Sequence, residues 1–131
     1  MALFRCSSGS GGSFAPTNLW TNDSPTSTFA SNQVTLSQSV DNFTYIGIKF
    51  RSSTTDDASI EVLTTVADLK KSVSGSSGAR ICIGANNSSY RYDRGIAYDD
   101  ATHITFGQAV RSNGSGTVNT LAIPTEINGY N

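Results

Sequence analysis

A chain of 131 residues and 13.8 kDa has the size of one domain, able to bury roughly two-thirds of its unfolded surface around a single core. Charged residues make up 15%, and nine Lys and Arg against ten Asp and Glu leave a formal net charge of -1. Duplex binding draws on clustered basic side chains, and the longest basic run here is Lys70-Lys71, so nucleic acid is excluded as the main partner. No apolar run approaches the roughly 20 residues of a membrane span, which excludes membrane insertion by a helix.

The chain opens with MALFRC followed by SSGSGGS. One Arg and a very short apolar patch do not make a signal peptide. Residues 1–13 read as an apolar-leaning arm on a flexible Gly/Ser linker, and residues 14–131 as the folded domain. Leu3, Phe4 and Cys6 are the arm's candidate anchors for attachment to another protein; a frayed terminus or an edge strand is the competing reading. Trp20, beside Leu19 and ahead of Pro25, is expected in the core or across one end of it. After the turn residues Ala30 to Asn32, Val34 and Leu36 mark a short strand.

The clearest strand is Thr44 to Arg51, where Ile46, Ile48 and Phe50 alternate with Tyr45, Lys49 and Arg51. Ser59 to Val73 starts with the same period and then shifts phase. Its β-branched residues predict a strand with a bulge at the shift and at most a short helix near Asp68 to Lys71. Ile81 and Ile83 mark another strand, in which Cys82 reads as a small buried or half-buried residue. Tyr90 to Tyr98 and His103 to Val110 predict two strands about the turn Asp99-Asp100. Val118 to Ile123 and Glu126 to Tyr130 follow as two more, separated by a kink at Pro124, which cannot donate to a ladder. Eight or so strands with turn chemistry between them predict an all-β fold, an antiparallel two-sheet β-sandwich of the jelly-roll kind, with Ile46, Ile48, Phe50, Ile81, Ile83, Ile104 and Phe106 inward.

Chemistry is sparse. His103 is the only histidine and reads as a surface residue, and Asp56-Asp57 and Asp99-Asp100 read as solvated turns. Cys6 and Cys82 have no neighbouring His and make no metal site, and two free thiols are favoured over a disulfide. The expectation is a non-enzymatic protein without metal or cofactor. The segment SSYRYDRGIAYDD is the exception, because Tyr90, Arg91, Tyr92 and Arg94 combine amphipathic rings with forked donors that can stack on a sugar or anchor an interface. Two readings stand for it. One makes these four residues a surface that contacts a host glycan; the other packs Tyr90 and Tyr92 on one sheet face, with Arg91 and Asp93 on the other.

Two phrases carry a family resemblance. The run NLWTNDSPTSTFASNQVTL contributes Leu19, Trp20, Thr21, Asn22, Pro25, Thr26, Phe29, Ala30, Val34 and Leu36, and the closing LAIPTEINGY contributes Ile123, Pro124, Ile127 and Gly129. Arg94, Tyr98, Ile104, Thr105, Phe106 and Gly107 lie between them. On these residues the chain resembles the C-terminal or stand-alone β-domains of bacteriophage minor tail and tail-fibre proteins, with Asn128 departing from the family's Tyr. The resemblance covers about Leu19 to Tyr130. It implies a virion structural protein made in the bacterial host cytoplasm, often a homotrimer, displayed among other virion proteins on the tail or elsewhere on the particle. Which face contacts a host is not implied, and the host surface glycan is a partner expected from the Tyr90 to Arg94 chemistry alone. A capsid decoration or head-fibre protein is the alternative, and a glycan-binding module or polysaccharide-active enzyme ranks behind both. The family supplies no catalytic residues to carry over.

Overall fold

The computed structural model describes residues 14–74 and 79–131. Among them are eight strands: β1 (Thr17–Thr21), β2 (Asn32–Thr35), β3 (Tyr45–Ser53), β4 (Ser59–Thr65), β5 (Ile81–Asn86), β6 (Arg91–Asp100), β7 (His103–Arg111) and β8 (Leu121–Tyr130). They form two antiparallel four-stranded sheets, ordered β1-β8-β3-β4 and β2-β7-β6-β5. The alternating apolar residues close the space between the sheets: Ile46, Ile48, Phe50, Ile83, Ile104 and Phe106 are buried, and Ile81 is half-buried against them. The all-β sandwich read from periodicity is thus the architecture. A jelly roll nests its strands in pairs from the chain ends inward. Here that nesting joins β1 to β8 and β2 to β7, whereas β3–β4, β5–β6 and β6–β7 are local hairpins.

The expected bulge in Ser59 to Val73 is absent. β4 pairs with β3 in unbroken register from Arg51↔Ser59 to Tyr45↔Thr65. The phase shift is instead a change of element, because a single helical turn, α1 (Val66–Leu69), follows directly. Thr65 caps it, its hydroxyl accepting from Asp68 N at 3.1 Å, and Val66 and Leu69, three residues apart, both bury. The turn sits two residues earlier than the expected Asp68 to Lys71.

The C-terminal pair of strands is one continuous strand, β8, at the centre of its sheet. Its Pro124 is tolerated because neither neighbouring strand requires the one N–H that it lacks. The β3–β8 register steps from Lys49↔Glu126 to Phe50↔Pro124, leaving Thr125 as an extra residue, and β1 ends at Thr21↔Glu126. Beyond β1 the side chain of Asn22 donates to Pro124 O at 2.9 Å and its main-chain N–H to Thr125 O at 2.8 Å. β1 itself, unread in the sequence, places Leu19 in the core and lays Trp20 against Phe29 and Phe106 at centroid distances of 6.5 and 5.8 Å. Trp20 therefore covers one end of the core, as its position suggested. No helix among the described residues is long and apolar enough to cross a membrane.

Candidate functional site

The alternation of β6 divides the four aromatic and arginine residues singled out for surface recognition. Tyr92 and Arg94 face inward with Ile96, while Arg91 and Asp93 face out. Tyr92 is 6% exposed and Arg94 has no exposed surface, so neither can meet a host molecule, and the surface assignment of these two is corrected. The reading that put Arg91 and Asp93 on one face and the tyrosines on the other holds for Tyr92. Tyr90 escapes it because β6 begins one residue later; it is 45% exposed on the β5–β6 turn.

Arg94 is the most unusual group in the core, a guanidinium with no carboxylate partner among the described residues. Main-chain carbonyls take that place. Its Nε donates to Ala122 O (2.9 Å), Nη1 to Gly107 O (2.6 Å) and Nη2 to Leu121 O (3.0 Å), and its plane lies over the Phe29 ring, 5.1 Å from the centroid. Two irregularities aim those carbonyls. The β6–β7 register slips between Arg94↔Ala109 and Ile96↔Phe106, which bulges β7 at Gly107. Consecutive carbonyls of a regular strand point to opposite sides, but Ala122 adopts a φ of 50°, and Leu121 O and Ala122 O both reach the same cation. Such a conformation costs about 1–3 kcal/mol for a residue with a Cβ. Burial pulls the Arg94 pKa down to about 10, which leaves it charged at neutral pH.

The exposed residues gather at one end of the sandwich. Asn87 organises the β5–β6 turn: its Oδ1 accepts from Ser89 N and Tyr90 N at 2.9 and 2.7 Å, and its N–H donates to Tyr90 O at 3.0 Å. Arg111, at the end of β7, lays its guanidinium 3.3 Å from the Tyr90 ring centroid. No carboxylate of the described residues lies within ion-pair distance of Arg111. Arg91 pairs with Asp93 at 3.0 Å. Open depressions of about 350 Å³, toward Asn86 and Asn87, and about 160 Å³, toward Ser112 and Asn113, flank Tyr90 and share Arg91. Tyr90 and Arg91, both named from the sequence, are exposed here. Arg111 was missed because its partner lies 21 positions away across a hairpin and nothing local marks it.

The remaining polar groups brace the fold. His103 Nδ1 lies 2.8 Å from Asp100 Oδ1 at the β6–β7 turn. Thr102 N–H and then His103 hold the Asp100 carboxyl below its ordinary range. On the outer face of the first sheet, Tyr130 Oη donates to Glu61 Oε1 (2.7 Å) and Asn128 Nδ2 to Glu61 Oε2 (3.1 Å). Gly47 leaves the space for this, since a Cβ there would meet the Glu61 carboxylate. Cys82 is exposed rather than buried, because Ile81 and Ile83 take the inward phase of β5; its thiol is free, and partial desolvation raises its pKa. Leu3, Phe4 and Cys6 lie outside the described residues. Among the described residues no group of three or more His, Cys, Asp or Glu side chains is placed to hold a metal ion. No family model matches the chain, and no curated protein is significantly similar to it.

Proposed function

We propose that this chain is a non-enzymatic structural module of a bacteriophage particle, carried on the tail in the manner of a tail-fibre or tail-tip domain, with the Tyr90 end as its host-facing surface. The assignment to a particle rests on the sequence resemblance at Leu19 to Leu36 and Ile123 to Gly129. The observation that carries the binding role is the Tyr90–Arg111 stack. A planar cation on one face of an exposed ring fixes the ring's orientation, so the other face meets a ligand with little further loss of side-chain freedom. Arg91 and Asn87 stand beside it as hydrogen-bonding groups, the composition of a site for a sugar ring with polar substituents. The polar residues elsewhere, Arg94, His103, Asp100 and Glu61, are engaged in bonds within the domain, which suits a rigid carrier.

The test is host adsorption by particles carrying Tyr90→Ala together with Arg111→Ala, alongside a density map of the intact particle. Adsorption should fall by an order of magnitude or more with an unchanged melting temperature, and density for the domain should lie on the tail. Normal adsorption removes the site. Density on the capsid assigns the domain to decoration of the head instead.

A further inference from the structure

We propose that β4 is an assembly edge on which a second copy of this chain pairs antiparallel about a two-fold axis at Val62. The argument starts from the four strands that end the two sheets, β1 and β4 in one, β2 and β5 in the other. Exposed edges invite pairing with other chains, and folded proteins blunt them with short strands, bulges, Pro, edge charges or a covering segment. Three of these edges are blunted so. β1 is five residues long and slips register between Asn18 and Trp20; β2 is four residues long; and β5 has its first edge N–H, that of Ile81, taken by Ser72 Oγ of the preceding segment at 2.8 Å. β4 has none of these devices. It runs seven residues, SIEVLTT, in unbroken register with β3, without Lys, Arg, Pro or Gly. Its one charge, Glu61, is turned onto Tyr130 and Asn128 on the outer sheet face.

β4 also overhangs the sandwich. Ile60 and Val62 share the phase of their β3 partners Phe50 and Ile48, yet Ile60 is 62% exposed and Val62 only half-buried. The opposite sheet does not extend that far, since its edge strand β5 packs over β3 and β8.

The free main-chain groups can be assigned. Ser52 N donates to Ala58 O and Val66 N to Thr44 O, so the even-numbered residues Ile60, Val62 and Thr64 bond to β3, and Glu61 and Leu63 point their N–H and C=O away from it. Nothing among the described residues bonds to those groups. An antiparallel copy centred on Val62 sets Glu61 opposite Leu63 of its mate and Leu63 opposite Glu61, each pair exchanging both main-chain bonds. Val62 then faces Val62 in the closely spaced pair, Ile60 faces Thr64, and the single charge meets an apolar side chain instead of its own image. This register is self-complementary, as an isologous contact must be. A partner pairing of this kind is two-fold, which distinguishes it from the three-fold assembly that the sequence resemblance implies.

Light scattering on the full chain at high micromolar concentration should give twice the 13.8 kDa chain mass, decreasing on dilution. In a Cys6→Ser, Cys82→Ser background, Val62→Cys should cross-link to itself under mild oxidation, because a closely spaced antiparallel pair brings Cα atoms to about 4.5 Å, within disulfide reach. Ile60→Cys, off the axis, should remain largely uncross-linked. A mass of one or three chains at every concentration, or cross-linking at Ile60→Cys as fast as at Val62→Cys, overturns the proposal.

Discussion

Arg94→Met tests whether the buried guanidinium holds the two sheets together. Methionine keeps an unbranched side chain of similar reach and supplies no donor. Two buried carbonyls, of Leu121 and Ala122, and the part-buried carbonyl of Gly107 then lose their partner. An orphaned buried acceptor costs about 1–3 kcal/mol, so the two buried ones come to about 2–6 kcal/mol before relaxation. The released cost of burying a cation works in the opposite direction. Replacing a buried ion pair with apolar groups is often neutral or stabilising, but that outcome requires both partners to be replaced. Here the acceptors are main-chain atoms and stay in place. Two of them are also aimed by a strained Ala122, which cannot turn away without disturbing the start of β8.

We therefore expect a net loss of about 3–5 kcal/mol, a large fraction of the about 5–15 kcal/mol that holds a domain of this size folded. Urea unfolding followed by far-UV circular dichroism at neutral pH measures it, with a midpoint that falls while the slope stays constant. Arg94→Lys should recover only part of the loss, because a single ammonium cannot reproduce the forked geometry or the contact with Phe29. A methionine variant within about 1 kcal/mol of the parent would refute the reasoning, since it would mean that the carbonyls find water or new donors at no cost.

Tyr92→Ala should cost about 3–5 kcal/mol as a buried aromatic truncation, whereas Tyr90→Ala, two residues away, should change stability by about 0.5 kcal/mol or less; the two chemical denaturation midpoints give the comparison. Asp100 is a carboxyl whose folded pKa lies below its unfolded value, so its contribution is present above the ordinary carboxylate pKa and is lost as pH falls through the folded one. Melting temperatures of Asp100→Asn and the parent should converge as the pH drops below about 4, and a gap that persists at acid pH would show that the Thr102 and His103 contacts do not depend on the charge of Asp100.

The sandwich was legible because β3, at the centre of its sheet, carries strict alternation. In TYIGIKFR every second residue is apolar, and such a face has only one way to bury. The elements that escaped are those whose pattern is set by distant partners. β1 has only Leu19 to face inward, and its identity as a strand depends on β8, more than 100 positions later. The bulge expected at Leu63 was a local solution to a phase shift, and the chain found another, capping a helical turn with Thr65. Cys82 was misplaced because its residue type was weighed above the phase of its neighbours. At the candidate site the fault was of the opposite kind. The alternation of Arg91, Tyr92, Asp93 and Arg94 was available, and it already implied that two of the four would be interior; what pointed outward was the chemistry of rings and forked donors, which suits a recognition surface. Three carbonyls and an aromatic face make Arg94 belong in the core.

That arrangement also changes what the resemblance can mean. Trp20 and Phe29 come from the opening phrase and Arg94 and Phe106 from the middle one, and in the structure they form a single cluster. Trp20 and Phe29 each stand 5.8 Å from Phe106, and Arg94 lies on Phe29. Pro124 and Ile127, from the closing phrase, belong to the strand whose first residues supply two of the Arg94 carbonyls. Leu19, Trp20, Phe29, Arg94, Phe106, Pro124 and Ile127, among the residues that carry the resemblance, thus help to close this sandwich, whereas Thr21, Thr26 and Ala30 of the same set are exposed. A motif of that kind specifies an architecture, and architectures are shared by proteins with different tasks. The residues proposed to meet a partner, Tyr90, Arg91 and Arg111 at one end and Glu61 to Leu63 along an edge, lie outside the shared phrases. Function in this chain is therefore to be sought where the resemblance stops, and the two surfaces can be tested separately because a substitution in either leaves the Arg94 cluster intact.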